Sequence, residues 1–182
     1  AAAARLGLPL HWVKSQSAQH GVRNLYERPE RLGADRWAAL IGARALHPGA
    51  CLVDCAGTAT TIDLLDAAGD FRGGVILPGV ALMRRALASH TAQLPPDEGC
   101  FASLPRNTLD AIASGCLYAQ AGAVERLFEQ AAAGGDALCL VSGGAAGAFF
   151  DLLRVPKRRI DNLVLEGLAR IGRDLCVNSS TP

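Results

Sequence analysis

Aromatic side chains are scarce in this sequence, and an excess of charge of either sign is nearly absent. Its 182 residues include two Trp, two Tyr and five Phe, and the net charge is +1. With no basic block and few rings to stack on bases, the chain is not expected to bind nucleic acid. No apolar run is long enough to span a membrane, so no membrane partner is expected. The opening AAAARLGLPL is too short, and too interrupted by arginine and proline, to read as a signal peptide. No repeat of solenoid period occurs. None of the six cysteines forms a CxxC pair, and most lie in apolar segments. They read as buried free thiols of a reducing compartment, the cytoplasm, rather than as disulfides or metal ligands. What the chain does have is apolar content: half of its residues are apolar and 19% are charged, which suits a well-packed globule.

Strand-like and helix-like segments alternate, which points to an α/β fold. LPLHWV reads as a short strand, and Asp35 to Leu46 as a helix ended by His47-Pro48-Gly49. CLVDCA, TTIDLL and FRGGVILP follow as a three-strand meander joined by short glycine turns. A helix is expected from Pro78 to Ser89, a loop from Thr91 to Pro105, and a long apolar helix from Asn107 to Gln130. Close helix packing would account for Gly115 and Gly122 within it. ALCLVSGG reads as a strand and a glycine turn, Ala145 to Leu153 as a short helix, Asp161 to Val177 as a final amphipathic helix, and NSSTP as a frayed tail. A meander followed by helix, strand and helix is the order of a ribonuclease H-like domain. That domain is expected at 49–182, with 1–48 as the end of a preceding one.

Several short motifs carry chemistry, each with a plainer alternative. In RLGADRW, Asp35 reads as a helix cap or as a buried carboxylate that accepts a proton from a substrate hydroxyl. Arg36 beside it offers a planar fork to a substrate carboxylate, or is a helix-surface charge. Gly57-Thr58-Ala59-Thr60-Thr61 is a hairpin turn, or a hairpin whose N–H groups and hydroxyls face phosphate oxygens. Gly73-Gly74 is a bulge, or a close approach to a ligand. Ser142-Gly143-Gly144 joins a strand to a helix, a junction that suits a nucleotide but also serves any tight turn. Asn107-Thr108 caps a helix, and His90 reads as structural.

Together these motifs resemble the type III pantothenate kinases, members of the acetate and sugar kinase superfamily with an actin-like fold. The matching segments are NLYERPERLGADRW, GTATTID, GGVILPGVALMRRAL, TAQLP, NTLDAIASG and VSGGAA, in family order over most of the chain. The resemblance implies Asp35 as catalytic base, with Gly33, Ala34, Arg36 and Tyr26 around pantothenate, although Tyr26 alone would be a rim aromatic. It implies Thr108 as a substrate contact given across a homodimer. It assigns Gly57 and Thr58 to ATP phosphate and Gly143 and Gly144 to the adenosine side. The expected reaction moves a phosphoryl group from ATP, with magnesium, to the pantothenate hydroxyl, the first step towards coenzyme A.

Two departures stand out. The family's first phosphate loop, of Asp-x-Gly-Asn-Thr type, does not occur in this sequence, so the first actin-like domain is expected to be partial and the chain inactive alone. A potassium or ammonium site in the family uses Asp-x-Gly-Thr, whereas here Asp54 stands three residues before Gly57 and Cys55 takes the expected place. A neutral thiol is a poor ligand for a hard cation. Asp63 reads as structural. The resemblance extends to relatives described as Bvg accessory factors, which leaves a transcriptional regulator as the alternative function.

Overall fold

The computed structural model describes residues 10–90 and 99–178. One mixed sheet organises them. Its strands are β1 (Ala18–Gln19), β2 (Val22–Asn24), β3 (Ala50–Ala56), β4 (Ala59–Leu65), β5 (Asp70–Pro78), β6 (Ala137–Ser142) and β7 (Lys157–Arg159). They lie in the order β1-β2-β5-β4-β3-β6-β7. The meander β3-β4-β5 is antiparallel, while β6 runs parallel to β3 and β7 parallel to β6. β2 joins the far edge parallel to β5.

Four helices cover the sheet: α1 (Ala34–Leu46), α2 (Val80–His90), α3 (Thr108–Ala132) and α4 (Leu163–Asn178). The central strands are buried on both faces, as parallel-type strands covered by helices are. Trp37, Leu40 and Ile41 of α1 and Leu163 and Ile171 of α4 pack with Val53, Leu65, Phe71 and Leu140 on one face. Leu117, Val124 and Phe128 of α3 pack with Leu52, Ile62, Cys139 and Val141 on the other. The crossing of α1 and α4 depends on two glycines. A Cβ on Gly167 would stand 1.8 Å from the Ala38 carbonyl oxygen, and one on Gly42 would stand 2.4 Å from that of Leu163.

Several expectations change. Residues 10–13 of LPLHWV lie outside any strand, and the first strand among the described residues is the two-residue β1. Ala145 to Leu153 forms two 3-10 turns, Ala146–Ala148 and Phe150–Leu152, not an α-helix, since Gly144, Gly147 and bulky Phe149 interrupt an α period. Gly115 and Gly122 do not serve packing among the described residues: none of these lies within 4 Å of where their Cβ atoms would be. Cys51, Cys116 and Cys139 are buried free thiols, but Cys100 is exposed because it precedes α3 in open coil. TAQLP and residues 179–182 lie outside the described residues.

Candidate active site

Strands β3, β6 and β7 run parallel and end together, at Ala56, Ser142 and Arg159. Open α/β sheets bind ligands at this carboxyl edge. Here the edge is built from three glycine turns. Gly57-Thr58 links β3 to β4, and the Gly57 N–H donates to the Ala59 carbonyl at 3.0 Å. Gly79 follows β5 and donates to the Thr58 carbonyl at 2.9 Å. A Cβ there would come within 2.1 Å of the Gly57 oxygen, so only glycine lets the turns meet. Gly143 follows β6 with φ +100°, and its Cβ would lie 2.1 Å from the Ala56 oxygen. That same oxygen accepts the Ala145 N–H at 3.1 Å. The hairpin expected to face phosphate and the turn expected to face adenosine are therefore in direct contact. The Thr58 and Gly144 N–H groups enter none of these turn hydrogen bonds among the described residues. Gly79 was missed as a builder of this edge; the Pro78-Gly79 pair was read only as a helix start.

The acidic side of the site is the first turn of α1. Gly33 is the N-cap residue, and the Asp35 carboxylate accepts the Arg36 N–H at 2.8 Å. Asp35 is exposed, not buried as expected, because it stands one residue before the helix turns its side chains into the core. Its charge still reaches the end of β3. Burial, then Asp54, Asp63 and Asp35, push the Cys55 thiol up to about 12.

Arg36 differs from both of its expected readings. It is neither on the helix surface nor free to fork a substrate carboxylate, being 6% exposed. Its Nε donates to both Asp63 oxygens, at 3.2 and 3.1 Å, and its Nη2 also bonds Asp63 Oδ1. The guanidinium lies 5.8 Å from the Tyr26 ring centre and 5.7 Å from that of Phe71. Burial pulls the Arg36 pKa down, but the Asp63 hydrogen bonds and charge hold it above its ordinary value. A Cβ on Gly74 would strike Asp63 Oδ1 at 2.1 Å, so Gly74 makes room for this ion pair rather than for a ligand. Gly73, at φ +121°, sits at the register shift of a bulge. Tyr26 is half-exposed and lies tilted on Phe71, with ring centres 5.9 Å apart.

Asp54 lies elsewhere. It is fully buried, in register with Ile62 and Val141 on the α3 face. Neither carboxylate oxygen has a hydrogen-bond partner among the described residues. Burial raises its pKa to about 7. Cys55 faces the opposite side of the sheet, and Thr60 of β4, on the same face as Ile62, has a hydroxyl that is likewise buried and without a hydrogen-bond partner among the described residues. Asn107 caps α3 by accepting the Asp110 N–H at 2.9 Å. Thr108 is exposed and lines a groove between α2 and α3 that reaches Pro78, the residue before Gly79.

A family model of type III pantothenate kinase matches residues 1–130. This chain belongs to that family. A type III pantothenate kinase of Aromatoleum aromaticum is 59% identical over 169 residues, which cover 93% of this chain and 70% of the relative. One of Azoarcus sp. is 56% identical over 176 residues, 97% of this chain and 67% of the relative. Among solved structures, a Campylobacter jejuni protein described as a Baf family transcriptional activator matches with TM-score 0.59 at 22% identity, over 83% of this chain and 67% of its own. That likeness speaks for the fold alone.

Within the family frame, the structure brings together Tyr26, Gly33, Ala34, Asp35 and Arg36 around one helix start. It brings Gly57, Thr58, Gly143 and Gly144 together along one edge. Thr108 joins neither group.

Proposed function

We propose that this chain transfers a phosphoryl group from ATP to the hydroxyl of pantothenate, the opening step of coenzyme A synthesis. The observation that carries the reading is the exposed Asp35 at the start of α1, whose charge reaches Cys55 near the carboxyl end of β3. Asp35 takes the proton from the attacking hydroxyl, and its solvent-facing position leaves room for a substrate above it. Thr58 offers an N–H and a hydroxyl to phosphate oxygens, and the Gly143-Gly144 turn beside it offers the Gly144 N–H to the adenosine side. Arg36, locked to Asp63, fixes the helix start and with it the aim of Asp35. A magnesium ion would supply charge neutralisation on the phosphates. Among the described residues no group of three His, Cys, Asp or Glu gathers to hold one.

In this reading residues 49–182 form the ribonuclease H-like unit of an actin-like kinase, to which β1, β2 and α1 are joined. The working form is a homodimer in the cytoplasm. An exposed face of α3, with Ala111, Gly115, Tyr118, Ala119 and Gly122 along it, borders the groove of about 600 Å³ that holds Thr108. A second copy against this face would carry Thr108 towards a neighbour's pantothenate. With net charge +1, the chain has no large positive excess to draw it to DNA.

The test is direct. The intact protein is incubated with ATP, magnesium and pantothenate, and phosphopantothenate is followed by mass spectrometry. The Asp35→Asn variant should lose about a hundredfold or more in kcat, with an unchanged melting midpoint because Asp35 is exposed. A near-normal rate in that variant removes Asp35 from its role. No product, together with no pantothenate binding, overturns the reading.

A further inference from the structure

Strand β7 carries three consecutive basic residues, Lys157, Arg158 and Arg159. Two of them are engaged by the fold. Lys157 Nζ donates to the Phe150 and Leu153 carbonyls, both at 2.7 Å, and so closes the 3-10 turn before it. Arg158 Nη2 donates to the Leu46 carbonyl at 3.0 Å and ties β7 to the end of α1. Arg159 differs. It is exposed, and among the described residues it takes part in no hydrogen bond or ion pair.

Its position is also particular. Arg159 is the last residue of β7, in register with Val141, one residue before the Ser142-Gly143-Gly144 turn. The guanidinium lies over the Gly147 backbone, where a Cβ would stand 3.3 Å from Nη1. Along the carboxyl edge the order is therefore the Gly57-Thr58 hairpin, the Gly143-Gly144 turn, then Arg159. At ~4.8 Å between neighbouring strands, Arg159 stands roughly 10 Å from the end of β3. A nucleotide with its phosphates at Gly57-Thr58 and its chain laid across Gly143-Gly144 would bring its base to Arg159. Gly147, with no side chain, lets that guanidinium lie against its backbone.

We propose that Arg159 binds the nucleotide by laying its planar guanidinium against the base. The proposal rests on the kinase reading for the presence of a nucleotide, and adds the residue that holds its far end. Arginine suits the task because its delocalised, weakly hydrated plane stacks on ring faces, which a lysine ammonium cannot do.

The experiment measures ADP affinity by calorimetry for the intact protein and for Arg159→Ala and Arg159→Lys, with melting midpoints alongside. Arg159→Ala is expected to weaken ADP binding by roughly tenfold, with an unchanged midpoint because the side chain touches little. Arg159→Lys should remain nearly as weak. Parental ADP affinity in Arg159→Ala overturns the proposal, and full rescue by lysine overturns the stacking contact in favour of a simple charge. Absence of ADP binding by the parent protein overturns the nucleotide site itself, an outcome distinct from a parent that binds and a variant that binds equally well.

Discussion

Arg36 on α1 and Asp63 on β4, 27 residues apart in sequence, form a buried two-pronged ion pair beneath the turn that carries Asp35. Charge pairs of this kind are costly to break on one side, because the remaining charge is left without a partner in low dielectric. Asp63→Ala is therefore expected to lower unfolding stability by about 3–5 kcal/mol, read from urea denaturation. Replacing both residues with apolar ones should cost clearly less than Asp63→Ala alone. If Asp63→Ala were as stable as the parent, the pair would not be what anchors α1.

Two glycines set the distance between α1 and α4. With Gly167 against the Ala38 carbonyl, a methyl group has nowhere to go without moving a helix. Gly167→Ala should cost about 1–3 kcal/mol of stability, whereas Gly172→Ala on the same helix, where no described residue lies within 4 Å of the added Cβ, should be neutral or slightly stabilising. Equal melting midpoints for the two variants would show that the crossing is looser than the structure has it.

The elements legible in the sequence were those long enough to carry a period. Helix α1, the meander, α3, β6 and α4 each bury a recurring set of apolar residues, and each stands close to its expected bounds. β1, β2 and β7, of two or three residues, offer no period to detect, and they exist because a neighbouring strand supplies the hydrogen bonds. The glycine turns were legible as turns. Their mutual contact through the Ala56 oxygen was not, since it depends on the parallel pairing of β3 with β6. Arg36 was misread for the same reason: its partner is a residue that pattern alone does not bring near.

The exposed side of α3 makes a prediction about assembly. Ala111, Gly115, Ala119 and Gly122 give a smooth surface on which another helix can approach closely, and Tyr118 flanks it. Gly115→Glu places a charge on that surface without touching the core of the chain. Sedimentation should show the parent as a dimer and this variant shifted to monomer, with loss of kinase activity if Thr108 serves a neighbour's site. A dimer that persists in Gly115→Glu would put the interface elsewhere.

Asp54 supplies a signature in pH. Burial raises its carboxyl from 3.8 to about 7. The folded chain therefore holds this proton more tightly than the unfolded chain does. Below about pH 4 both states carry it, and its burial costs nothing in charge. As pH rises from there the unfolded state ionises first, so stability falls until the folded carboxyl also ionises near pH 7, and the loss then levels off. At 1.36 kcal/mol per pKa unit over about three units, the full loss is roughly 4 kcal/mol. Asp54→Asn keeps the shape and removes the titration. Urea midpoints measured from pH 5 to pH 8 should show the variant gaining on the parent as pH rises, with most of the gain complete by pH 8. A gap that stays constant across that range would mean that Asp54 is already ionised in the folded protein, and so held by a partner such as a bound cation.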